Sequence, residues 1–231
     1  MEYLPKGLTL ELPDGAFPLS TDSMLLAHFS RLPRNARVLD LGSGCATLGL
    51  MLCAKDAGCN VTGLEISEKA HLAALENIRR NGLDTRLSSI CRDLRELPAD
   101  FTGVFHCCVS NPPYFSGGPK SQSTPLARQD DCCAPDELMH AAAKALRYGG
   151  DFFLVHKPEK LAQLIGCGAA HSLEAKTLAL IRHKEGGPIT LILLQFRKGG
   201  KPGLQISEHC LFDSLGNPTA YYKGVYHIQG D

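Results

Sequence analysis

Arg37-Val-Leu-Asp-Leu-Gly-Ser-Gly-Cys-Ala46 is the stretch whose reading decides the fold. An apolar run, Arg37 to Leu41, ends at Gly42 and Gly44, and Leu48 to Ala57 then carries a helical pattern. Glycines directly after a strand let the backbone turn tightly and approach a ligand closely. A lone Gly-x-Gly is weak evidence, so its neighbours matter. Asp40 is an acid at the end of the apolar strand. Asn60 to Glu65 reads as a second strand, which places Glu65 at a strand end 21 residues beyond Gly44. A carboxylate there can accept hydrogen bonds from both hydroxyls of a ribose. Leu87 to Cys91 reads as a third strand, followed by Asp93, where an acid can meet an adenine amino group. Ile66 and Leu94, next to these acids, join the candidate cofactor-binding set. The third glycine of a dinucleotide fingerprint is missing. That favours an adenosine with a small charged tail over a nicotinamide cofactor, which needs a cradle for its pyrophosphate.

Outward from this turn, strand and helix patterns alternate. Ser67, with Glu68 behind it, starts a helix that stops at Asn81-Gly82. Val104 to Ser110 is a fourth predicted strand, and Pro135 to Leu146 a helix closed by Gly149-Gly150. Asp151 to His156 is a fifth strand, and Pro158 to Gly166 a helix. Lys176 to Arg182 and Ile189 to Phe196 read as an antiparallel pair. These patterns imply βαβ units and an α/β fold with a mostly parallel, seven-stranded sheet. One domain over 1–231 is expected, with an extension over 1–35, a core over 36–198 and a polar, less periodic tail over 199–231. Ligands in such sheets bind at the carboxyl ends of the strands, near the switch in strand order.

The fourth strand runs into Asn111-Pro112-Pro113-Tyr114. Asn and Pro would suit a plain strand-ending turn. At this sheet edge they also suit a specific chemistry. An amide or aniline-like nitrogen is a poor nucleophile because its lone pair is delocalised. Acceptors aimed at its N–H bonds raise its electron density as it attacks. The Asn111 side-chain carbonyl and the Pro112 main-chain carbonyl can supply two. Successive prolines stiffen the turn beforehand, and Tyr114 offers a flat ring for stacking. Residues 115–130 are rich in Gly, Ser, Pro and Gln and read as a loop that includes Arg128.

The bulk properties exclude some classes. The 231 residues carry 24 basic and 24 acidic side chains, so no whole-chain electrostatic grip on nucleic acid is indicated. Residues 176–201 do hold six Lys or Arg against the single acid Glu185. That stretch is either a phosphate-binding patch or a solvated edge blunted by charge. The 10 cysteines show no Cys-x-x-Cys and no zinc spacing, which implies no metal and a reducing, cytoplasmic compartment. Met1 to Pro13 lacks the layout of a signal peptide, and no apolar run reaches the roughly 18 residues that span a membrane. His156, His183 and His209 have no visible partner and read as structural, and Tyr221, Tyr222 and Tyr226 as packing residues of the tail.

From about Phe17 to Phe196 these features resemble the class I S-adenosylmethionine-dependent methyltransferases with an Asn-Pro-Pro-Tyr motif. Phe17-Pro-Leu-Ser-Thr-Asp-Ser23, with Leu25 and Leu26, and the stretch from Lys176 through Arg182-His183-Lys184 and Pro188 to Lys201 resemble the tRNA1(Val) adenine-37 N6-methyltransferase family. The resemblance implies a Rossmann-like fold and S-adenosylmethionine as cofactor, with S-adenosylhomocysteine as product. The implied substrate is an RNA, tRNA above all, and a monomer is favoured. It places Thr21 and Asp22 near the methionine end of the cofactor and Asp40, Gly42 and Gly44 along the turn. Glu65 falls at the ribose, Asp93 at the adenine, and Asn111, Pro112, Pro113 and Tyr114 at the target amino group. Ala46 stands where that family has its third glycine, and fits if its φ stays negative. The motif is shared with protein-glutamine N5-methyltransferases of the release-factor type, which carry a helical domain ahead of the core. Here only about 36 residues precede the first core strand, too few for such a domain. Ribosomal RNA guanine N2-methyltransferases are a further alternative, and a module that binds S-adenosylmethionine or RNA without catalysis is the non-enzyme one.

Overall fold

The computed structural model describes residues 2–13, 19–113 and 134–226. Two short strands, β1 (Glu2–Tyr3) and β2 (Thr9–Leu10), precede helix α1 (Thr21–Phe29). The core then runs β3 (Arg37–Leu41), α2 (Thr47–Lys55), β4 (Asn60–Glu65), α3 (Glu68–Arg80), β5 (Leu87–Cys91) and β6 (Phe105–Ser110). It continues with α4 (Pro135–Ala145), β7 (Leu146–His156), α5 (Leu161–Ala170), β8 (Leu173–Lys184), β9 (Ile189–Lys198), β10 (Gln205–Phe212) and α6 (Ala220–Val225). The main sheet has the order β10-β8-β9-β7-β6-β3-β4-β5. Strands β3 to β7 run parallel to one another, and β9 is antiparallel to both β7 and β8. The strand order reverses at β3: the chain moves outward through β4 and β5, then returns to the other side of β3 with β6.

Period-2 alternation sorts the β3 side chains onto two faces. Val38 joins one buried cluster with α1, α2 and α3, while Leu39 and Leu41 join another with α4 and α5. Strand β6 does the same, with Cys107 and Val109 on the first face and Cys108 on the second. Helices α1 and α2 bury Met24 to Ala27 and Leu48 to Cys53. They pack against one another as well as the sheet, so they lack the one-sided apolar stripe of a surface helix.

Three sequence expectations need revision. The sheet has eight strands, not seven, because β10 pairs in parallel with β8. The β10 sequence Gln-Ile-Ser-Glu-His-Cys-Leu-Phe is largely solvated at a sheet edge, which leaves little hydrophobic signal to read. Strand β7 starts at Leu146, which pairs with Phe105, and resumes opposite Cys107 at Asp151. Residues 147–150 form the bulge between, where a side chain on Gly150 would press on the His106 carbonyl. The basic stretch over 176–201 is divided by topology. Because β9 runs antiparallel to β8, Lys176, Arg197, Lys198 and Lys201 lie toward the sheet edge opposite the carboxyl ends of β3 to β6. Many of these charges have internal partners: Arg197 pairs with Asp151, Lys198 bonds the Leu146 carbonyl, and Arg182 pairs with Glu208.

The N-terminal strands are fastened to the core by two amides of α3. The fully buried Asn77 exchanges both hydrogen bonds with the Glu11 backbone, at 2.8 and 2.9 Å, and also donates to the Cys45 carbonyl at 3.1 Å. Asn81 holds the Thr9 backbone in the same bidentate way. Truncating Asn77 would take a partner from three backbone groups, the Cys45 carbonyl of them in a fully buried bond. Asn77→Ala is expected to lower unfolding free energy by about 2–4 kcal/mol in urea titrations. A loss below about 0.5 kcal/mol, ordinary for an uninvolved surface position, would contradict the role given to this amide.

Candidate active site

The glycine turn is built from residues in left-handed backbone. Gly42 and Gly44 have φ of 75° and 55°, and the N–H groups of Gly42 and Ser43 both donate to the Leu64 carbonyl at 2.9 Å. A Cβ on either glycine would meet nothing within 4 Å. The turn therefore faces open space at the carboxyl end of β3, and its glycines are demanded by φ. Ala46 corrects an expectation: its φ is 67°, not negative. The position keeps the glycine-like conformation without the glycine, at a cost of roughly 1–2 kcal/mol. It precedes α2 as its N-cap residue, and its carbonyl accepts the Leu50 N–H at 2.9 Å.

Glu65 joins the two halves of this site. One carboxylate oxygen accepts the Gly44 N–H and the other the Ser67 N–H, each at 2.8 Å. The side chain is thereby fixed between the turn and the start of α3, where Ser67 caps the helix through the Ala70 N–H. Ile66 beside it is 45% exposed, a large apolar side chain held at the site edge. Asp93 caps a short helical turn, Leu94–Glu96, and its carboxylate is held by the Arg95 backbone and guanidinium at 2.8 Å. Those hydrogen bonds keep its carboxyl below the usual range. Leu94 packs partly buried against the second core cluster.

Asp40 behaves differently. It shares the Val38 face of β3, and its Oδ2 is buried without a hydrogen-bond partner among the described residues, as is the Ser43 hydroxyl. Burial, reinforced by the Glu65 charge, lifts its carboxyl to about 8. Two buried polar atoms without partners among the described residues, at an open glycine turn, suit a polar ligand.

Strand β6 brings the second half. Val109 pairs with Asp40, and the Ser110 hydroxyl donates to the Leu41 carbonyl at 2.7 Å, tying the two strand ends together. Asn111 and Pro112 follow half-buried, and Pro113 is exposed. The Asn111 Nδ2 donates to the Ser23 hydroxyl of α1 at 2.9 Å. Thr21 and Asp22 open that helix, and the Tyr226 hydroxyl donates to Thr21 Oγ1 at 3.1 Å. The α1 start, the glycine turn and Asn111 are therefore neighbours. Tyr114, Arg128 and the 115–130 loop lie outside the described residues, as do Phe17 and Pro18.

Other singled-out residues pack. His209 stacks on Tyr221 at 4.1 Å, Tyr222 on Tyr226 at 4.4 Å, and His183 lies 5.0 Å from Phe212. The three tyrosines rest partly buried against the first core cluster. His156 is buried, accepts the Lys157 N–H, and is held below the ordinary imidazole range by burial. Among the described residues, no group of His, Cys, Asp or Glu is arranged to hold a metal ion, and no helix is long and apolar enough to cross a membrane.

A mostly parallel sheet whose order reverses beside a glycine turn, with a carboxylate fixed at the next strand end, defines a Rossmann-like α/β protein with a crevice suited to a nucleoside ligand. A family model for the methyltransferase small domain matches residues 20–167, and the chain belongs to that family. It is a methyltransferase that uses S-adenosylmethionine. It is 30% identical over 185 residues to a tRNA1(Val) (adenine(37)-N6)-methyltransferase of Bacteroides fragilis, covering 78% of this chain and 77% of the relative. It is 27% identical over 225 residues to the enzyme of the same name from Photobacterium profundum, covering 91% and 92%. Among solved structures, a predicted O-methyltransferase from Agrobacterium tumefaciens superposes with a TM-score of 0.75 at 19% identity, over 90% of this chain and 96% of that one, which shows the shared fold.

Asp40 gives the site a measurable signature. Between the ordinary carboxyl value of 3.8 and about 8, the folded chain holds a proton that the unfolded chain has released. Its contribution to stability is present below about pH 4 and is lost as pH rises toward about 8. Asp40→Asn lacks that loss. Urea titrations from pH 4 to 8 should show the variant gaining on the parent by on the order of a few kcal/mol. A difference that stays flat with pH would mean that Asp40 is ionised in the folded chain.

Proposed function

We propose that the chain methylates the exocyclic N6 of an adenine in tRNA, with Asn111, Pro112, Pro113 and Tyr114 holding the target amino group. The observation that supports it most is the tie between the β3 and β6 ends, which sets Asn111 beside the glycine turn. The names of the relatives supply the substrate class.

S-adenosylmethionine, when bound, would supply an electrophilic methyl on a sulfonium, with S-adenosylhomocysteine as the product. The residues present fit it. Gly42 and Gly44 leave room above the turn, Glu65 presents a fixed carboxylate for the ribose, and Ile66, Asp93 and Leu94 flank the adenine. Thr21 and Asp22, in the opening turn of α1, would lie near the methionine end, and Asp40 would line the turn. Asn111 Oδ1 and the Pro112 carbonyl accept the two N–H bonds of the target. As the nitrogen lone pair turns toward the methyl, these acceptors stabilise the positive charge that develops there. The nitrogen then loses one proton to solvent water. No metal or covalent nucleophile is needed, and a cytoplasmic location fits a tRNA substrate.

The test is transfer of tritiated methyl from S-adenosylmethionine to unmodified bulk tRNA. Label that digests to N6-methyladenosine, and that falls at least about a hundredfold in Asn111→Ala, is expected. Label in release factor or ribosomal RNA but not in tRNA would overturn the substrate.

A further inference from the structure

The hydrogen bond between Asn111 and Ser23 joins residues 88 positions apart. Its consequence lies in how an asparagine amide is oriented. The χ2 torsion of Asn is broad and roughly two-fold, so packing alone selects poorly between two faces that differ by exchange of oxygen and nitrogen. One face offers an acceptor to an incoming amino group, and the other offers a donor that would repel its N–H bonds. Here the Ser23 hydroxyl accepts from the Nδ2 end, an arrangement that leaves the Oδ1 end for the target. We propose that Ser23 is a positioning residue for methyl transfer: its hydroxyl engages the Asn111 Nδ2 and so turns the Asn111 carbonyl oxygen toward the target nitrogen.

Ser23 is suited to this by its own support. It is 8% exposed, in the first turn of a helix whose next four residues, Met24 to Ala27, are all buried. The Ser20 side chain accepts the Ser23 N–H at 3.4 Å and caps the helix. Thr21, two residues earlier, is held by the Tyr226 hydroxyl. The hydroxyl therefore sits on a rigid element fixed from both sides, which is what a group that orients another requires. Asn111 is tied independently through its neighbour Ser110 to the β3 end. The Asn111 backbone follows the strand tied to β3, and its Nδ2 meets α1.

The inference rests on the assignment of Asn111 proposed above, so the two are tested together. Ser23→Ala, Ser23→Thr, Asn111→Ala and the Ser23→Ala/Asn111→Ala double variant would be compared for kcat and KM on unmodified tRNA. Their thermal midpoints and S-adenosylhomocysteine affinity would be measured alongside. Ser23→Ala is expected to lose about ten- to a hundredfold in kcat, with KM and cofactor affinity within about twofold. Ser23→Thr, which keeps the hydroxyl, should recover most of the loss. In the Asn111→Ala background, removal of the hydroxyl should have no further effect on kcat. If Asn111→Ala abolishes transfer but Ser23→Ala keeps full kcat, or if the two losses simply multiply, the role of Ser23 is wrong and that of Asn111 survives. If Asn111→Ala itself retains full kcat, the assignment of Asn111 fails first.

Discussion

Strand β3 is hydrogen-bonded on both flanks to parallel strands that lead away in opposite directions, and the site depends on that placement. With β4 on one side, the glycine turn is reached by the Glu65 carboxylate. With β6 on the other, Asn111 emerges beside the same turn. The reversal of strand order leaves a crevice at the carboxyl ends because the connections depart to either side. In the proposed reaction the two strands that flank it supply the two halves of the site, one for a nucleoside cofactor and one for an amino group.

Around this crevice, backbone groups and short side chains set the geometry. Glu65 is fixed by two main-chain N–H groups, Ser110 by the Leu41 carbonyl, and Asn111 by a serine on α1. Short connections of this kind lose little side-chain entropy, so they keep polar groups oriented without a large core around them. Among the described residues two groups remain unmatched: Asp40 Oδ2 and the Ser43 hydroxyl are buried without a hydrogen-bond partner at the open turn. Ala46 adds backbone strain next to them. Unsatisfied and strained positions gathered at one strand end are what a ligand site costs a fold that is otherwise well packed.

Much of this was legible in the sequence, where apolar pattern and end residues coincide. Strands β4 and β5 lie within the bounds read from Asn60 to Glu65 and from Leu87 to Cys91, because each is a short run closed by polar residues. The Ser67 cap and the Asn81-Gly82 stop bounded α3. Helix α1 gave no amphipathic signal because it is buried on several sides, and β10 gave none because it is a solvated edge. The left-handed Ala46 could not be read from residue type, since alanine ordinarily signals the opposite. The Ser23 contact was out of reach for a different reason: no spacing rule links residues 88 apart, and only the packing of α1 against the strand ends brings them together.

We propose that the β3 turn and the β6 end form one site, with the cofactor on the first and the acceptor amide on the second. A crystal structure of the chain grown with S-adenosylhomocysteine tests it most directly. The ligand should lie over Gly42 and Gly44 with its ribose hydroxyls on Glu65 and its sulfur facing Asn111. A ligand seated elsewhere, or one over the turn with its sulfur directed away from Asn111, would contradict the account.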